Sequence, residues 1–248
     1  MIIQIYEIQT PEEAAGIIDL GVDHIGSVVQ WDHDWRNETL KATINTVQAA
    51  GRKSSLIPLF SDPETISRCL DYYQPDIVHF CETLPMENPS LDSMKSMIGL
   101  QKHIRKRFPG LDIMRSIPIS NNGADGIVPS LALARVFEPY SDWFLTDTLL
   151  VEQQGQDQPV SGFVGITGQT CNWQVARELV ETSRIPVILA GGIGPENVHE
   201  GIALVRPAGV DSCTRTNAVD DRGKPIRFSK DPAKVKALIA AVRMTREQ

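Results

Sequence analysis

Short apolar runs alternate with amphipathic segments along the whole chain, and this alternation constrains the fold more than any other feature. A short apolar run between helical patterns is typical of a buried strand. The runs are Ile2–Tyr6, His24–Val29, Ser55–Phe60, Ile77–Phe80, Asp112–Ile117, Trp143–Thr146, Val187–Ala190 and Gly209–Cys213. We therefore predict eight strands.

Helical patterns fill the intervals between these runs. Several begin with a proline that follows a capping residue, as at Thr10-Pro11, Asp62-Pro63 and Asp231-Pro232, which is a common start for a helix. The predicted helices are Pro11–Leu20, Glu38–Ala50, Pro63–Tyr72, Leu91–Arg107, Val128–Phe137, Trp173–Thr182, Glu196–Val205 and Pro232–Arg243.

Strict alternation of strand and helix favours parallel pairing with right-handed crossovers. Eight such units can close into a (β/α)8 TIM barrel, which typically needs about 250 residues; an open doubly wound sheet is the alternative. The chain has 248 residues, no early G-x-G-x-x-G and no linker rich in Pro, Gly or Ser. We predict an α/β fold with one (β/α)8 barrel domain over residues 1–248, in which functional groups lie at the C-terminal ends of the strands.

Composition narrows the class of protein. Hydrophobic residues make up 42% and charged residues 22% of the chain, which is ordinary for a soluble globular protein. The net charge of −7 argues against nucleic acid as a partner. No apolar run is long enough to span a membrane, and the start of the chain does not resemble a signal peptide. The four cysteines lack metal-site spacing, so we expect reduced thiols and a cytoplasmic location.

A glycine turn after the seventh strand predicts an anion site. Ala190-Gly191-Gly192 follows the apolar run Val187–Ala190 and precedes a helix; glycines allow close approach of the backbone, and free N–H groups at a helix start favour anions. After the eighth strand, Thr214 and Arg215 add hydroxyl and guanidinium donors. Loops seven and eight of such barrels often bind phosphate. We therefore predict a phosphorylated small-molecule ligand here.

Three other strand ends carry candidate acids and bases. Asp147 follows the sixth apolar run and is the carboxylate best placed for general acid–base work, although it could instead cap the next segment. Glu7 follows the first strand and could act at the barrel mouth or serve as a structural ion partner. Cys81 shares a strand face with His79, which allows either a thiol base or a buried apolar cysteine.

Two arginines offer further anion contacts. Arg36 ends the segment Trp31–Arg36, where it could clamp a carboxylate or phosphate. His33 lies in the same segment, but the spacing is not that of known metal ligands, and we predict no metal. Arg115, on the fifth strand, could point inward as a second anion clamp or outward toward a helix.

These pieces, in this order, resemble the phosphoribosylanthranilate isomerase family of tryptophan biosynthesis. The resemblance covers most of the chain and is strongest in its C-terminal third. The segments that carry it are Pro186–Val198, Val205–Asp211, Lys230–Pro232, Thr10–Ala14, Gly21–Gly26 and Asp76–His79.

The resemblance implies an Amadori rearrangement of a phosphoribosyl amine to a ketose, without metal or organic cofactor. In that family an aspartate at the end of strand six is the general acid on the ring oxygen, and Asp147 matches it. Gly168 falls in the family's G-G-T-G-x-T-F-D-W loop, together with Thr170 and Trp173. Arg36 lies where the family's ligand-binding arginine follows strand two.

The general base departs from the family pattern. The family has K-I-C-G at strand one, with the cysteine as base, whereas this chain has Gln4-Ile5-Tyr6-Glu7. A phenol with its ordinary pKa near 10 is a poor base at neutral pH. Glu7 or Cys81 could take over, or Tyr6 could work with Asp147 on a different phosphosugar. Arg215 stands near a family glycine.

The leading prediction is an isomerase that resembles phosphoribosylanthranilate isomerase, with Asp147 as acid and Tyr6 at the base position. Two alternatives stay open: an isomerase or lyase on another phosphosugar, and a non-catalytic phosphosugar-binding paralogue. We expect no cofactor, no nucleic-acid or membrane partner, and a monomer or homodimer.

Overall fold

The computed structural model describes residues 1–121, 128–150 and 160–245. Eight parallel strands close into a barrel in the order β1 to β8, which confirms the predicted (β/α)8 fold. The strands are β1 (Ile2–Ile5), β2 (His24–Val29), β3 (Lys53–Pro58), β4 (Ile77–Phe80), β5 (Asp112–Ser120), β6 (Trp143–Leu149), β7 (Val187–Leu189) and β8 (Gly209–Ser212).

Each predicted helix is present on the outside of the barrel. The helices are α1 (Pro11–Leu20), α2 (Glu38–Ala49), α3 (Pro63–Tyr73), α4 (Lys95–Arg107), α5 (Ser130–Phe137), α6 (Trp173–Thr182), α7 (Val198–Val205) and α8 (Pro232–Met244). Capping residues match the sequence signals: Thr10, Asp62 and Asp231 each accept a backbone N–H from the first turn that follows, which satisfies donors without an intrahelical partner.

Several elements differ in extent from their predicted bounds, and three of them do so for a visible structural reason. Strands β5 and β6 run beyond their apolar stretches because they stay in register from Met114↔Trp143 to Ser120↔Leu149. Helix α7 begins later than predicted, because the Asn197 side chain accepts from the Gly194 N–H at 2.9 Å and donates to the Gly192 carbonyl at 2.9 Å. These bonds hold the preceding glycines in a turn.

The barrel interior is apolar at its centre and polar toward both ends. Tyr6, Ile77, Met114, Leu145 and Ile188 pack together inside the barrel. A larger apolar layer between the barrel and the helices includes residues of β1, α1, α7 and α8, and burying this surface is the main favourable contribution to folding. The side chains at the C-terminal ends of the strands therefore project from a closed and well-packed barrel.

A small antiparallel hairpin, absent from the sequence prediction, lies between β8 and α8. Its strands are β9 (Asn217–Val219) and β10 (Pro225–Lys230), paired at Pro225↔Val219 and Lys230↔Asn217. Residues 226–229 therefore stand opposite Ala218 alone, which is a large bulge that turns side chains out of the hairpin plane. No helix in the described ranges has the length and apolar character needed to cross a membrane.

Candidate active site

A cleft opens at the C-terminal ends of the strands, which is where barrels of this kind bind small molecules. Of the predicted site residues, the cleft brings together Tyr6, Glu7, Cys81, Asp147, Gly168, Gly191, Gly192, Thr214 and Arg215. Asp211 and Arg227 also line it, and neither was a predicted site residue.

Asp147 stands at the end of β6 with its carboxyl group in the cleft. Its Oδ1 accepts the Thr148 backbone N–H at 2.9 Å. Gly165 packs so closely on the carboxyl group that an added Cβ would lie 2.3 Å from Oδ2. Burial raises the pKa of Asp147 to about 7, because an apolar environment disfavours the charged form. A carboxyl group with this pKa can donate a proton near neutral pH.

Asp211 is a second carboxyl group in the same cleft, on β8. Gln4 Nε2 donates to its Oδ1 at 3.2 Å, and the residue is 6% exposed. Burial raises the pKa of Asp211 to about 8, and the charge of Asp147 raises it further in the same direction. Asp211 is therefore mostly protonated at neutral pH.

Asp211 makes the stability of the protein depend on pH. Its folded-state pKa of about 8 lies above the ordinary 3.8, so the native state binds the proton more tightly than the unfolded chain. Stability is therefore present at low pH and lost as the pH rises from about 4 to about 8. We expect Asp211→Asn to raise the free energy of unfolding on the order of 2 kcal/mol at alkaline pH. Urea unfolding at pH 5 and pH 8.5 measures this; an equal change at both values would contradict it.

Tyr6, which the sequence predicted to stand at the base position, is a buried phenol that lines the cleft. Its hydroxyl lies 2.5 Å from Ser55 Oγ and 2.7 Å from His79 Nδ1, and His79 Nε2 lies 2.8 Å from Ser116 Oγ. Burial raises the pKa of Tyr6 well above its ordinary value, while burial, aided by the Arg115 charge, lowers the pKa of His79 to about 3. Both groups are neutral at physiological pH, so the chain from Ser55 to Ser116 is a neutral hydrogen-bond network.

Gly26 makes room for this tyrosine. An added Cβ at Gly26 would lie 2.1 Å from Tyr6 Cδ1, so the ring lies directly on the backbone of β2. Cys81 lines the cleft from the end of β4, where burial raises the pKa of its thiol well above the ordinary value. Cys81 therefore carries its proton at neutral pH, as Tyr6 does.

Glu7 is a buried carboxylate in an unusual backbone conformation. Its φ is 63°, which lies in the left-handed region. Residues other than glycine adopt this conformation at a cost of about 1 kcal/mol or more. Its Oε1 accepts from Arg227 Nε at 2.7 Å and lies 2.5 Å from Arg227 Nη2. An ion pair with the β9–β10 hairpin thus accompanies this conformation of Glu7.

The turn after β7 presents backbone to the cleft, as predicted. Gly191 and Gly192 have φ of 85° and 58°, and an added Cβ at Gly192 would lie 2.4 Å from the Gln169 carbonyl carbon. Within the described ranges, the N–H groups of Gly168 and Gly192 have no protein acceptor. Such N–H groups at a helix-leading turn can bind an anion.

Arg215 lies beside this turn. Its Nε donates to the Gly168 carbonyl at 3.1 Å, and its guanidinium forms an ion pair with Glu196. Thr214 forms the adjacent wall, since an added Cβ at Gly168 would lie 3.2 Å from Thr214 Cγ2. The elements predicted to form an anion cradle therefore meet at one wall of the cleft.

Two arginines lie elsewhere. Arg36 lies outside the cleft lining, with its guanidinium 4.7 Å from the centre of the Tyr72 ring and its Nε 3.9 Å from Glu38. Arg115 points outward: its Nε donates to Gln101 Oε1 of α4 at 3.0 Å and its Nη1 lies 2.9 Å from Glu82. The outward alternative for Arg115 is correct, and its role is structural.

The sequence did carry a signal for Asp211, which sequence reasoning missed. Asp211 lies within the predicted strand Gly209–Cys213, where alternation places it on the face opposite the apolar Val210. Arg227 had no comparable signal, because it reaches the cleft through a hairpin bulge. Among the residues that the structure describes, no group of three or more His, Cys, Asp or Glu side chains could hold a metal ion.

A family model and several known proteins similar in sequence to this chain share one description. A model of the N-(5'-phosphoribosyl)anthranilate (PRA) isomerase family matches residues 136–240. N-(5'-phosphoribosyl)anthranilate isomerase 2 of Methanosarcina mazei is 30% identical over 234 residues, which cover 92% of this chain and 92% of the relative. The chain belongs to the phosphoribosylanthranilate isomerase family. The isomerase of Methanocella arvoryzae is 33% identical over 145 residues, or 58% of this chain and 57% of the relative.

Solved structures of phosphoribosylanthranilate isomerases share the fold. The enzyme from Thermotoga maritima matches with a TM-score of 0.68 and 20% identity, covering 98% of this chain and 100% of that one. The enzyme from Pyrococcus furiosus matches with a TM-score of 0.65 and 18% identity, covering 98% and 99%. At this identity the similarity shows the shared barrel alone.

Proposed function

We propose that this chain is a phosphoribosylanthranilate isomerase of tryptophan biosynthesis, which converts N-(5'-phosphoribosyl)anthranilate to the corresponding ketose. The observation that carries the proposal is the arrangement of one cleft: Asp147, with a pKa raised to about 7, shares it with the glycine turn at Gly191 and Gly192. The turn binds the phosphate, and Asp147 acts on the sugar.

The chemistry needs one proton donor and one proton acceptor. Asp147 donates its proton to the ring oxygen, the ring opens, and the nitrogen lone pair forms an iminium ion with carbon 1. A base then removes the proton from carbon 2, which gives an enolamine. The Asp147 carboxylate then accepts the proton of the enol hydroxyl, and the base returns its proton to carbon 1. The aldose amine thus becomes an aminoketose with no net change in atoms or electrons.

We assign the base to Glu7. Tyr6 and Cys81 both carry their protons at neutral pH, because burial raises the pKa of each well above its ordinary value. Glu7 directly follows Tyr6, lines the cleft and holds an ion pair with Arg227. Its position next to the strand-one site of the family base makes it the candidate that departs least from the family arrangement.

A complementation experiment tests this function. The gene is expressed in a tryptophan auxotroph that lacks the isomerase, beside Asp147→Asn and an exposed control, Arg222→Gln. We expect wild type and Arg222→Gln to restore growth without tryptophan and Asp147→Asn to fail. A folded wild-type protein that fails to rescue and turns over no substrate would overturn the proposal, and would favour the phosphosugar-binding alternative.

Glu7→Gln tests the base directly. The amide keeps the size of the side chain but cannot accept the carbon 2 proton, so we expect kcat to fall about 10²- to 10⁴-fold. Deuterium at carbon 2 should show a primary isotope effect on the residual rate. Cys81→Ser is the matched comparison and should retain most activity; a larger loss in Cys81→Ser than in Glu7→Gln would transfer the role of base to Cys81.

The proposed enzyme acts on a phosphorylated small molecule in the cytoplasm, as a monomer or homodimer. The four cysteines are free, and three are buried, which suits a reducing compartment. The Thermotoga maritima relative is described as dimeric.

A further inference from the structure

The β9–β10 hairpin places the cationic side chain of Arg227 at the mouth of the cleft. Arg227 lies in the bulge at residues 226–229, and its guanidinium stands 4.6 Å from the centre of the Phe228 ring. The base of the hairpin is fixed, because Lys230 Nζ donates to the Cys213 carbonyl at 3.0 Å and to Asn217 Oδ1. A bulge on an anchored hairpin re-aims one side chain without moving the rest, and here that side chain is Arg227.

Backbone strain is concentrated where Arg227 meets Glu7. Phe228 has a φ of 58° and Glu7 a φ of 63°, and the Phe228 N–H lies 3.4 Å from Glu7 Oε2. Two residues other than glycine in the left-handed region thus contact each other across one ion pair. Strain of this kind persists where the surrounding structure enforces it, and it is concentrated at ligand-binding and catalytic sites.

Glu7 accepts a well-aligned hydrogen bond from only one nitrogen of the Arg227 guanidinium group. Its Nε donates to Glu7 Oε1, but the buried Nη2, although 2.5 Å from that oxygen, has no well-aligned hydrogen bond to any described residue. An arginine binds a carboxylate best through two parallel N–H···O bonds. Arg227 therefore has a donor left over for a second acceptor, and its bond to Glu7 lacks the two-bond geometry that a carboxylate prefers.

The charges that line the cleft match the two ends of the proposed substrate. Anthranilate is a benzene ring with an ortho carboxylate, so the substrate has a phosphate at one end and a carboxylate at the other. Among the described cleft residues the cations are Arg215 and Arg227, and Arg215 stands at the glycine turn, paired with Glu196. Apolar side chains of Val28, Ile57 and Leu59 form another wall of the cleft, which suits an aromatic ring.

We propose that Arg227 binds the ring carboxylate of the substrate, and that this contact releases Glu7 from its ion pair. The inference rests on the proposed function and deepens it. Arg36, the predicted clamp, lies outside the cleft lining with its side chain 66% exposed. The hairpin arginine would instead recognise the aglycone, and it would free the base only when a carboxylated ring is bound.

The experiment compares two stable ligands in wild type, Arg227→Gln and the exposed hairpin control Arg222→Gln. One ligand is reduced 1-(o-carboxyphenylamino)-1-deoxyribulose 5-phosphate, and the other is the same compound without the carboxyl group. Calorimetry gives each Kd. We expect wild type and Arg222→Gln to bind the carboxylated ligand about 30-fold more tightly, and Arg227→Gln to lose that preference. Arg227→Lys should restore part of it, because lysine keeps the charge but not the two-bond geometry.

A structural role for Arg227 predicts a different result. Loss of a purely structural ion pair would weaken both ligands equally and leave their ratio unchanged, which would overturn the inference. Turnover is a separate readout: an active wild type with an unchanged ratio in Arg227→Gln rejects only the role of Arg227. An inactive wild type whose carboxylate preference depends on Arg227 rejects only the proposed isomerase.

Discussion

Asp147→Asn is expected to reduce kcat about 10³-fold while leaving ligand binding nearly intact. Asparagine fits the same space, and its side-chain oxygen can still accept the Thr148 N–H that Asp147 accepts at 2.9 Å. It cannot donate a carboxyl proton to the ring oxygen. Steady-state kinetics should therefore show the loss in kcat, whereas the Kd of the reduced product analogue changes little. A comparable loss in affinity would place Asp147 in ligand binding rather than proton transfer.

The pH dependence gives an independent test of the same role. The pKa of Asp147 is raised to about 7, and a general acid works only in its protonated form. The rate should therefore fall as the pH rises through about 7, and this alkaline decline should be absent from the residual activity of Asp147→Asn. A bound phosphate and carboxylate would favour the protonated form and move the decline to higher pH in kcat than in kcat/KM. A wild-type profile that is flat between pH 6 and 9 would contradict the assignment.

The sequence was sufficient for the barrel because its signals are local. Runs such as Val187–Leu189 are buried on both faces and therefore continuously apolar, and caps such as Asp62 act within three residues. The glycine turn at Gly191 and Gly192 is likewise local, since a left-handed φ and a close backbone contact both exclude side chains. The fold and the backbone geometry of this turn could therefore be predicted together.

The Glu7–Arg227 pair could not be predicted, because it joins residues 220 positions apart. The hairpin that carries Arg227 is short, and its bulge breaks the two-residue period by which a strand is recognised. Arg115 was ambiguous for another reason: alternation defines two faces but does not say which is inward. Its outward orientation depends on contacts with Gln101 of α4 and with Glu82, and these contacts are not visible in the sequence.

Gly192→Ala is expected to abolish most phosphate affinity and to destabilise the fold. A Cβ at Gly192 would lie 2.4 Å from the Gln169 carbonyl carbon and 2.6 Å from the Thr170 nitrogen. Both atoms are backbone, so the loop that contains Gly168 must move away from the turn. We expect the Kd for ribose 5-phosphate to rise about 10²-fold and the free energy of unfolding to fall about 1–3 kcal/mol.

Gly51→Ala separates the two causes of this effect. Gly51 has a similar left-handed φ of 68°, but no heavy atom lies within 4 Å of an added Cβ, and the residue is exposed between α2 and β3. It should lose stability through backbone strain alone, on the order of 1 kcal/mol, with no change in phosphate affinity. Equal affinities in Gly192→Ala and Gly51→Ala would mean that the phosphate lies elsewhere in the cleft. A loss confined to Gly192→Ala would support the turn after β7 as the phosphate site, because only there does the added methyl group displace backbone donors.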